Sequence, residues 1–243
     1  MKNTVAVIVI ALAIVAGVFI IGRSYNYKFK TRNTVNVLGS SEHNFTADLI
    51  VWSGTFTRTS MDLKDAYASL KNDEQAVRDY LTKRQIPANE IVFSSIVIDK
   101  QFSYNYDQSG RQMGATFNGY QLRQTVKIES KSLEKVEKLS REITELLQSG
   151  IELSSQEPLY YYTKLSDLKI NLLAKAAADA YNRATTIANN ANSRLGNLRK
   201  ASMGVFQITG QYSNEDYSYG GAFNAASKNK PATITVRLEY ELD

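Results

Sequence analysis

The sequence predicts an α+β fold: a largely antiparallel sheet carrying three helices, in the order ββαββαβαββ, preceded by one N-terminal transmembrane helix. Three observations carry this. Val5 to Ile21 is an unbroken apolar run. Several segments alternate apolar and polar residues with period two, most cleanly Tyr120 to Glu129 and Ile234 to Leu242. Between them lie segments whose apolar residues recur at three and four, the helical spacing.

At the front, the apolar run begins behind Lys2 and ends before Gly22-Arg23. At about 1.5 Å rise per residue it reaches the short end of what spans a hydrocarbon core of about 30 Å. Residues 1–22 therefore read as an uncleaved signal anchor, with the membrane engaged through residues 5–21. Cleavage and secretion is the alternative, but GVFIIGRSY offers no clear small-x-small site. Residues 23–34 read as a basic juxtamembrane linker. Its Arg23, Lys28, Lys30 and Arg32 outnumber Lys2 upstream, and this bias alone would leave the domain in the cytoplasm.

Behind the linker, VNVLGSSEHNFTADLIVWSGTFTR holds two extended stretches around GSSEHN, with Ile50, Trp52 and Phe56 on one parity; a first hairpin is expected. Leu63, Tyr67, Leu70, Val77 and Leu81 mark a first helix that ends before Pro87. IVFSSIVIDKQFSYNY should then pair with the alternating strand that Gly119-Tyr120 opens. Ser132 is placed to cap a second helix, lined by Leu133, Val136, Leu139, Ile143, Leu146 and Leu147 up to Gly150. IELSSQEPLYYYTKL reads as a strand interrupted by Pro158, which should lie at an edge or a bulge.

A third helix opens at Leu173, with Leu173, Ala177, Ala180, Ala184, Ile187, Ala191 and Leu195 as its stripe. So small a stripe lets backbones approach closely. The remaining face, Ala174, Ala178 and Tyr181, is left for a subunit contact. Asn192 stands where a left-handed cap belongs, and SRLG makes the turn that follows. MGVFQITG and TITVRLEYEL supply the last two strands. No Pro- or Gly-rich linker divides the domain over residues 35–243.

The chemistry is sparse. There is no cysteine, and His43 is the single histidine, which excludes disulfides, thiolate sites and every two-histidine metal motif. A Ser-His-Asp arrangement would need His43, which sits beside Ser40, Ser41 and Glu42 in an expected turn without a nucleophile elbow. Asp62/Asp65 and Asp73/Glu74 read as solvated helix carboxylates, and MGATFNG and YSYGGAF as loop glycines. No catalytic residue, cofactor or metal is assigned. Four of the five net positive charges come from residues 1–30, whose four basic residues stand without an acid, leaving 25 basic against 24 acidic residues elsewhere. Nucleic acid is therefore not an expected partner.

The fifteen tyrosines carry the contact expectation. Tyr160, Tyr161 and Tyr162 fall in succession, and the polar loop 211–230 holds Tyr212, Tyr217 and Tyr219. Tyrosine offers large amphipathic area at low entropic cost. The fragment Asn33 to Asp243 is expected to form a homo-oligomer through one of these regions.

Ala174, Ala177, Asp179, Ala180, Arg183, Ala184 and Ala188, followed by Leu195-Gly196, resemble the long helix and turn of the SIMPL-domain family of bacterial envelope proteins. VNVLGSSE, IPANEIVFSSIVIDKQFSYNY, Gly119-Tyr120 and the final strand add to the match, with Asn192 where the family usually has Gly. The resemblance implies export to the periplasm or cell surface, oligomer formation and an association with stress, and it brings no catalytic residues. With the apolar run it implies a single-pass protein of the bacterial inner membrane, its domain facing the periplasm. A hydrolase of unrecognised type built around His43, and a membrane adaptor facing the cytoplasm, are the alternative functions.

Overall fold

The computed structural model describes residues 2–29, 33–212 and 220–243, with side chains of the first helix described over 12–25. That helix, α1 (Lys2–Phe29), runs past Ile21 into the expected linker. Its residues 5–11, seven of the seventeen in the apolar run, lie outside the described side chains. Among the described residues no helix is long and apolar enough to cross a membrane.

The chain forms two compact units, 42–172 with 205–234, and 1–41 with 173–204 and 235–243. Three of the four crossings fall inside regular elements, which is why no linker composition marks them.

In the larger unit, β2 (Leu49–Ser60) is central. It pairs antiparallel with β5 (Gln112–Ser130), from Ile50 opposite Ser130 to Ser60 opposite Tyr120. Outside β5 lie β3 (Ile91–Phe93) and β4 (Val97–Tyr106); outside β2 lie the short β6 (Leu153–Ser155) and β7 (Leu159–Tyr161), on either side of Pro158 as expected. Ile50, Trp52 and Phe56 share one face of β2 and are fully buried with Leu122, Val126 and Ile128 of β5. Helices α2 (Leu63–Lys83) and α3 (Leu133–Glu142) contribute Leu70, Val77, Leu81, Val136 and Leu139 to the same core.

The α2 start is chemically defined. Asp62 accepts hydrogen bonds from Lys64 N at 2.7 Å and Asp65 N at 3.3 Å, satisfying two donors of the first turn. Its buried face differs from the expected one: Leu63 and Tyr67 are exposed, and Ala66, Asp73 and Glu74 take the inner positions. Ser132 precedes α3 but makes no side-chain cap; its backbone N–H donates to Ser130 Oγ. Beyond Glu142 the helix tightens into 3-10 turns over Ile143–Ser149.

A second sheet has β1 (Thr34–Thr46), β10 (Asn229–Leu242) and β8 (Leu195–Met203) in that order. The expected first hairpin does not form. β1 runs straight through GSSEHN and pairs with β10, and β2 pairs with β5 instead. Alternation reports burial, not the partner, and the terminal strand competes successfully for β1. The partner of β10 is likewise mainly β8, the stretch read as a turn, while MGVFQITG supplies only the two residues of β9 (Gln207–Ile208). Exposed along most of its length, β8 shows no apolar alternation to reveal it.

Helix α4 (Leu165–Asn190) begins eight residues before the expected start. Its buried line is Leu168, Leu172, Ala176, Ala180, Ala184 and Ala188, a strict i+4 series sharing only Ala180 and Ala184 with the expected stripe. The reason is at Gly39 of β1. A Cβ there would overlap the Ala176 carbonyl oxygen and stand 2.5 Å from Ala180 N. Helix and strand backbones touch, so only a narrow line of methyl groups is enclosed. Asp179 secures the contact by accepting from Ser40 N at 2.9 Å. The helix ends as expected: Asn192 has φ of 54°, Ser193 N donates to Ala188 O, and Asn192 N donates to Asn189 O. These are the two hydrogen bonds of a Schellman cap.

Candidate contact surfaces

The residues able to do chemistry are dispersed or already engaged. His43 is exposed on β1, in an extended strand rather than a turn. Among the described residues no three His, Cys, Asp or Glu side chains gather as a metal site. Gly114 likewise lies within β5, not in a loop.

Asp73 and Glu74 are buried, against the expectation of solvation. Arg58 on β2 bridges Asp73 with Nε at 2.5 Å and Nη2 at 2.8 Å, and donates to Gly150 O at 2.8 Å. This bidentate hydrogen bonding raises the Arg58 guanidinium above its ordinary value. Burial pushes the Glu74 carboxyl up, but Lys71 at 2.6 Å, Arg78 at 2.9 Å and Gln124 more than offset it and hold the group below its usual range. Asp73 thus ties α2 to β2, whereas Glu74 is held by two cations of α2 itself. Periodicity could not reveal this, because a buried carboxylate looks like a surface one until its cation is known.

The tyrosines divide by environment. Tyr160 packs its ring against the core, and burial, with Glu137 beside it, pushes its phenol up to about 12. Tyr162 is half-buried against Phe45, with ring centroids 4.8 Å apart. Tyr161 and Tyr212 are exposed. Tyr217 and Tyr219 lie outside the described residues. On α4, Ala174, Ala178 and Tyr181 are all exposed, with the Tyr181 ring edge-on to Tyr240 at 6.0 Å.

One open apolar surface of the larger unit lies outside the tyrosine regions singled out from the sequence. The β4–β5 hairpin continues beyond the end of β2 as a two-stranded arm. Cross-strand pairing places Ile98, Lys100, Phe102, Tyr104 and Tyr106 on one face with Leu122, Tyr120, Phe117 and Ala115. Phe102 stands edge-on to Phe117 at 5.6 Å, and Phe117 to Tyr120 at 5.2 Å, so an aromatic row leads outward from the core. Yet Phe102, Tyr104, Tyr106 and Met113 are 44%, 53%, 63% and 70% exposed.

The opposite face is polar. Asp99 accepts from Arg123 at 3.0 Å, Gln101 donates to Gln121 at 3.2 Å, and Asn118 donates to Ser103. At the tip, the Asp107 carboxylate accepts from Ser109 N, Ser109 Oγ and Arg111 N, and these hydrogen bonds hold it below the usual carboxylate range. The arm is therefore an ordered amphipathic ribbon. Its sequence signal was an aromatic alternation in β4 that outlasts the strand β2 meant to support it.

The chain belongs to the SIMPL family, described as a protein of unknown function (DUF541), whose model matches residues 35–241. No curated protein matches the chain.

Proposed function

We propose that this protein is a membrane-anchored assembly module of the bacterial cell envelope, acting through protein contacts rather than by turnover, and associated with stress. The observation that carries this reading is the aromatic row of the β4–β5 arm, presented open on an ordered ribbon. Exposed Tyr161 and Tyr212 add amphipathic area of the kind enriched at interfaces. Contiguous exposed apolar surface on a folded protein marks a place where something else binds.

Anchoring is supported by the run from Val5 to Ile21, and the family by the match over residues 35–241. The module faces the periplasm as a single-pass inner-membrane protein and forms homo-oligomers. Light scattering of the full-length chain in mild detergent tests self-association: a mass above that of one chain is expected, and a strictly monomeric mass at micromolar concentration would remove the assembly reading.

One observation favours a second reading. The excess of Arg23, Lys28, Lys30 and Arg32 behind the apolar run fits a domain facing the cytoplasm. Protease added to intact spheroplasts separates the two: digestion of the domain is expected, whereas full protection would support a cytoplasmic adaptor.

A further inference from the structure

We infer that two copies of this chain pair edge to edge through β4, antiparallel about a twofold axis at Phe102. The inference rests on the assembly reading above and names its interface.

The outer edge of β4 is chemically open. One edge of the strand is hydrogen-bonded to β5 from Val97 to Tyr106, and among the described residues no backbone group pairs with the other. A row of free N–H and C=O groups is a template for another strand. Native edges are commonly blunted by proline, by inward-pointing charge or by a bulge in the edge strand itself. β4 has no proline, and its two charges, Asp99 and Lys100, stand together in its first half, leaving Gln101 to Tyr106 uncharged. The two register shifts of the hairpin both place the extra residue, Asn118 or Met113, on β5, so β4 remains regular. A two-stranded ribbon is also marginal in water, and further strands beside it extend both its hydrogen bonding and its apolar face.

The side chains of β4 select a second copy as the occupant. With Phe102 opposite its own counterpart, Gln101 faces Ser103, Lys100 faces Tyr104, Asp99 faces Asn105 and Ile98 faces Tyr106 of the other copy. Each pair joins residues of the same strand parity, so the aromatic face meets the aromatic face and the polar face meets the polar face. Asp99 and Lys100, the charged residues of the strand, never meet themselves. Centring the pairing on either of them would set like charges directly opposite, which is destabilising. The Phe102 register also leaves no aromatic residue of β4 overhanging: Lys100 lies across from the Tyr104 ring, and Ile98 covers Tyr106. The arrangement is an isologous interface, in which one strand complements itself.

The chain has no cysteine, so introduced thiols report the register without background. Full-length protein in mild detergent is oxidised as three preparations: Phe102→Cys alone, Tyr104→Cys alone, and an equimolar mixture of Lys100→Cys and Tyr104→Cys. Disulfide-linked dimer on a non-reducing gel is expected from the first and the third, and not from the second, because Tyr104 lies opposite Lys100 rather than itself. In parallel, Phe102→Glu should weaken self-association at least tenfold by light scattering. If the unmodified chain self-associates but neither the first nor the third preparation cross-links, the β4 interface is overturned while the assembly reading stands. If Tyr104→Cys alone cross-links as well as Phe102→Cys, the register is overturned. A chain that does not self-associate removes both.

Discussion

From Leu122 to Ser130 strand β5 buries every second side chain, whereas from Gln112 to Asn118 it buries none. The two halves have similar β-forming residues and the same neighbour, β4, over part of their length. What differs is the other side. The C-terminal half lies beside β2 and beneath α2 and α3, so its alternation has a core to enter. The N-terminal half has one strand beside it and an aromatic face with nothing described above it. Gly119 marks the change: it has φ of 107° and lies opposite Gln101, next to the bulged Asn118. Apolar alternation therefore reports a face that is to be covered, and leaves open whether the same chain covers it.

The sharpest way to break the comparison is to cut into the covered half. Leu122 is fully buried between its partners on β2 and β4. Leu122→Ala removes buried methyl groups and leaves a cavity, an expected loss of about 2–5 kcal/mol. Urea denaturation followed by circular dichroism measures it. A loss under about 1 kcal/mol would mean that this half is no better packed than the arm.

The junction comes next. A Cβ on Gly119 would stand 2.6 Å from Ser60 O, at a φ that L-residues rarely adopt. Gly119→Ala is expected to cost about 1–3 kcal/mol through backbone strain. The same denaturation experiment reports it, and a neutral result would show that the bulge relaxes freely.

How much of this was legible beforehand follows the same division. Ile50, Trp52 and Phe56 on one parity, the Asn192 cap, and Leu70, Val77, Leu81, Val136 and Leu139 of the two helix stripes are local signals found in the structure, whereas Leu63, Tyr67 and Leu147 of those stripes are exposed. Strand pairing is not local: nothing in VNVLGSSE distinguishes β10 from β2 as its partner. α4 opened earlier than expected because the stretch from Leu165 to Leu172 carries its apolar residues on a different line from the one chosen from Leu173 onward. The buried roles of Asp73 and Glu74 depended on Arg58, Lys71 and Arg78. As for the contact surface, Tyr104 and Tyr106 stood in plain view, but a strand rich in aromatics reads as core.

A smaller effect compares a covered tyrosine with the open ones. The Tyr160 phenol is pushed up to about 12 by burial, with Glu137 beside it. Its folded value lies above that of an unfolded tyrosine, about 10. The neutral phenol thus favours the folded state fully below pH 10, and this contribution is lost as pH rises through about 12. Tyr160→Phe should lack that loss. The difference in urea midpoint between the two proteins, followed from pH 9 upward, is expected to shrink as pH rises, provided both refold on return to neutrality. A constant difference would show that Tyr160 ionises like an open tyrosine.

The smallest effect on folding is expected in the arm itself. Tyr104 is 53% exposed and pairs across the ribbon with Ala115, so its ring gives up little contact when removed. Threonine, like tyrosine, favours a strand, and Tyr104→Thr should change folding stability by no more than about 0.5 kcal/mol, as surface substitutions usually do. Self-association should respond differently, because in the β4 pairing the Tyr104 ring is what Lys100 of the second copy meets. Measured on one preparation, an unchanged urea midpoint with a weaker dimer would place the value of this ring in the contact between copies. A destabilisation comparable to that of Leu122→Ala, with association unchanged, would instead make Tyr104 part of the molecule's own packing and erase the distinction between the two halves of the hairpin.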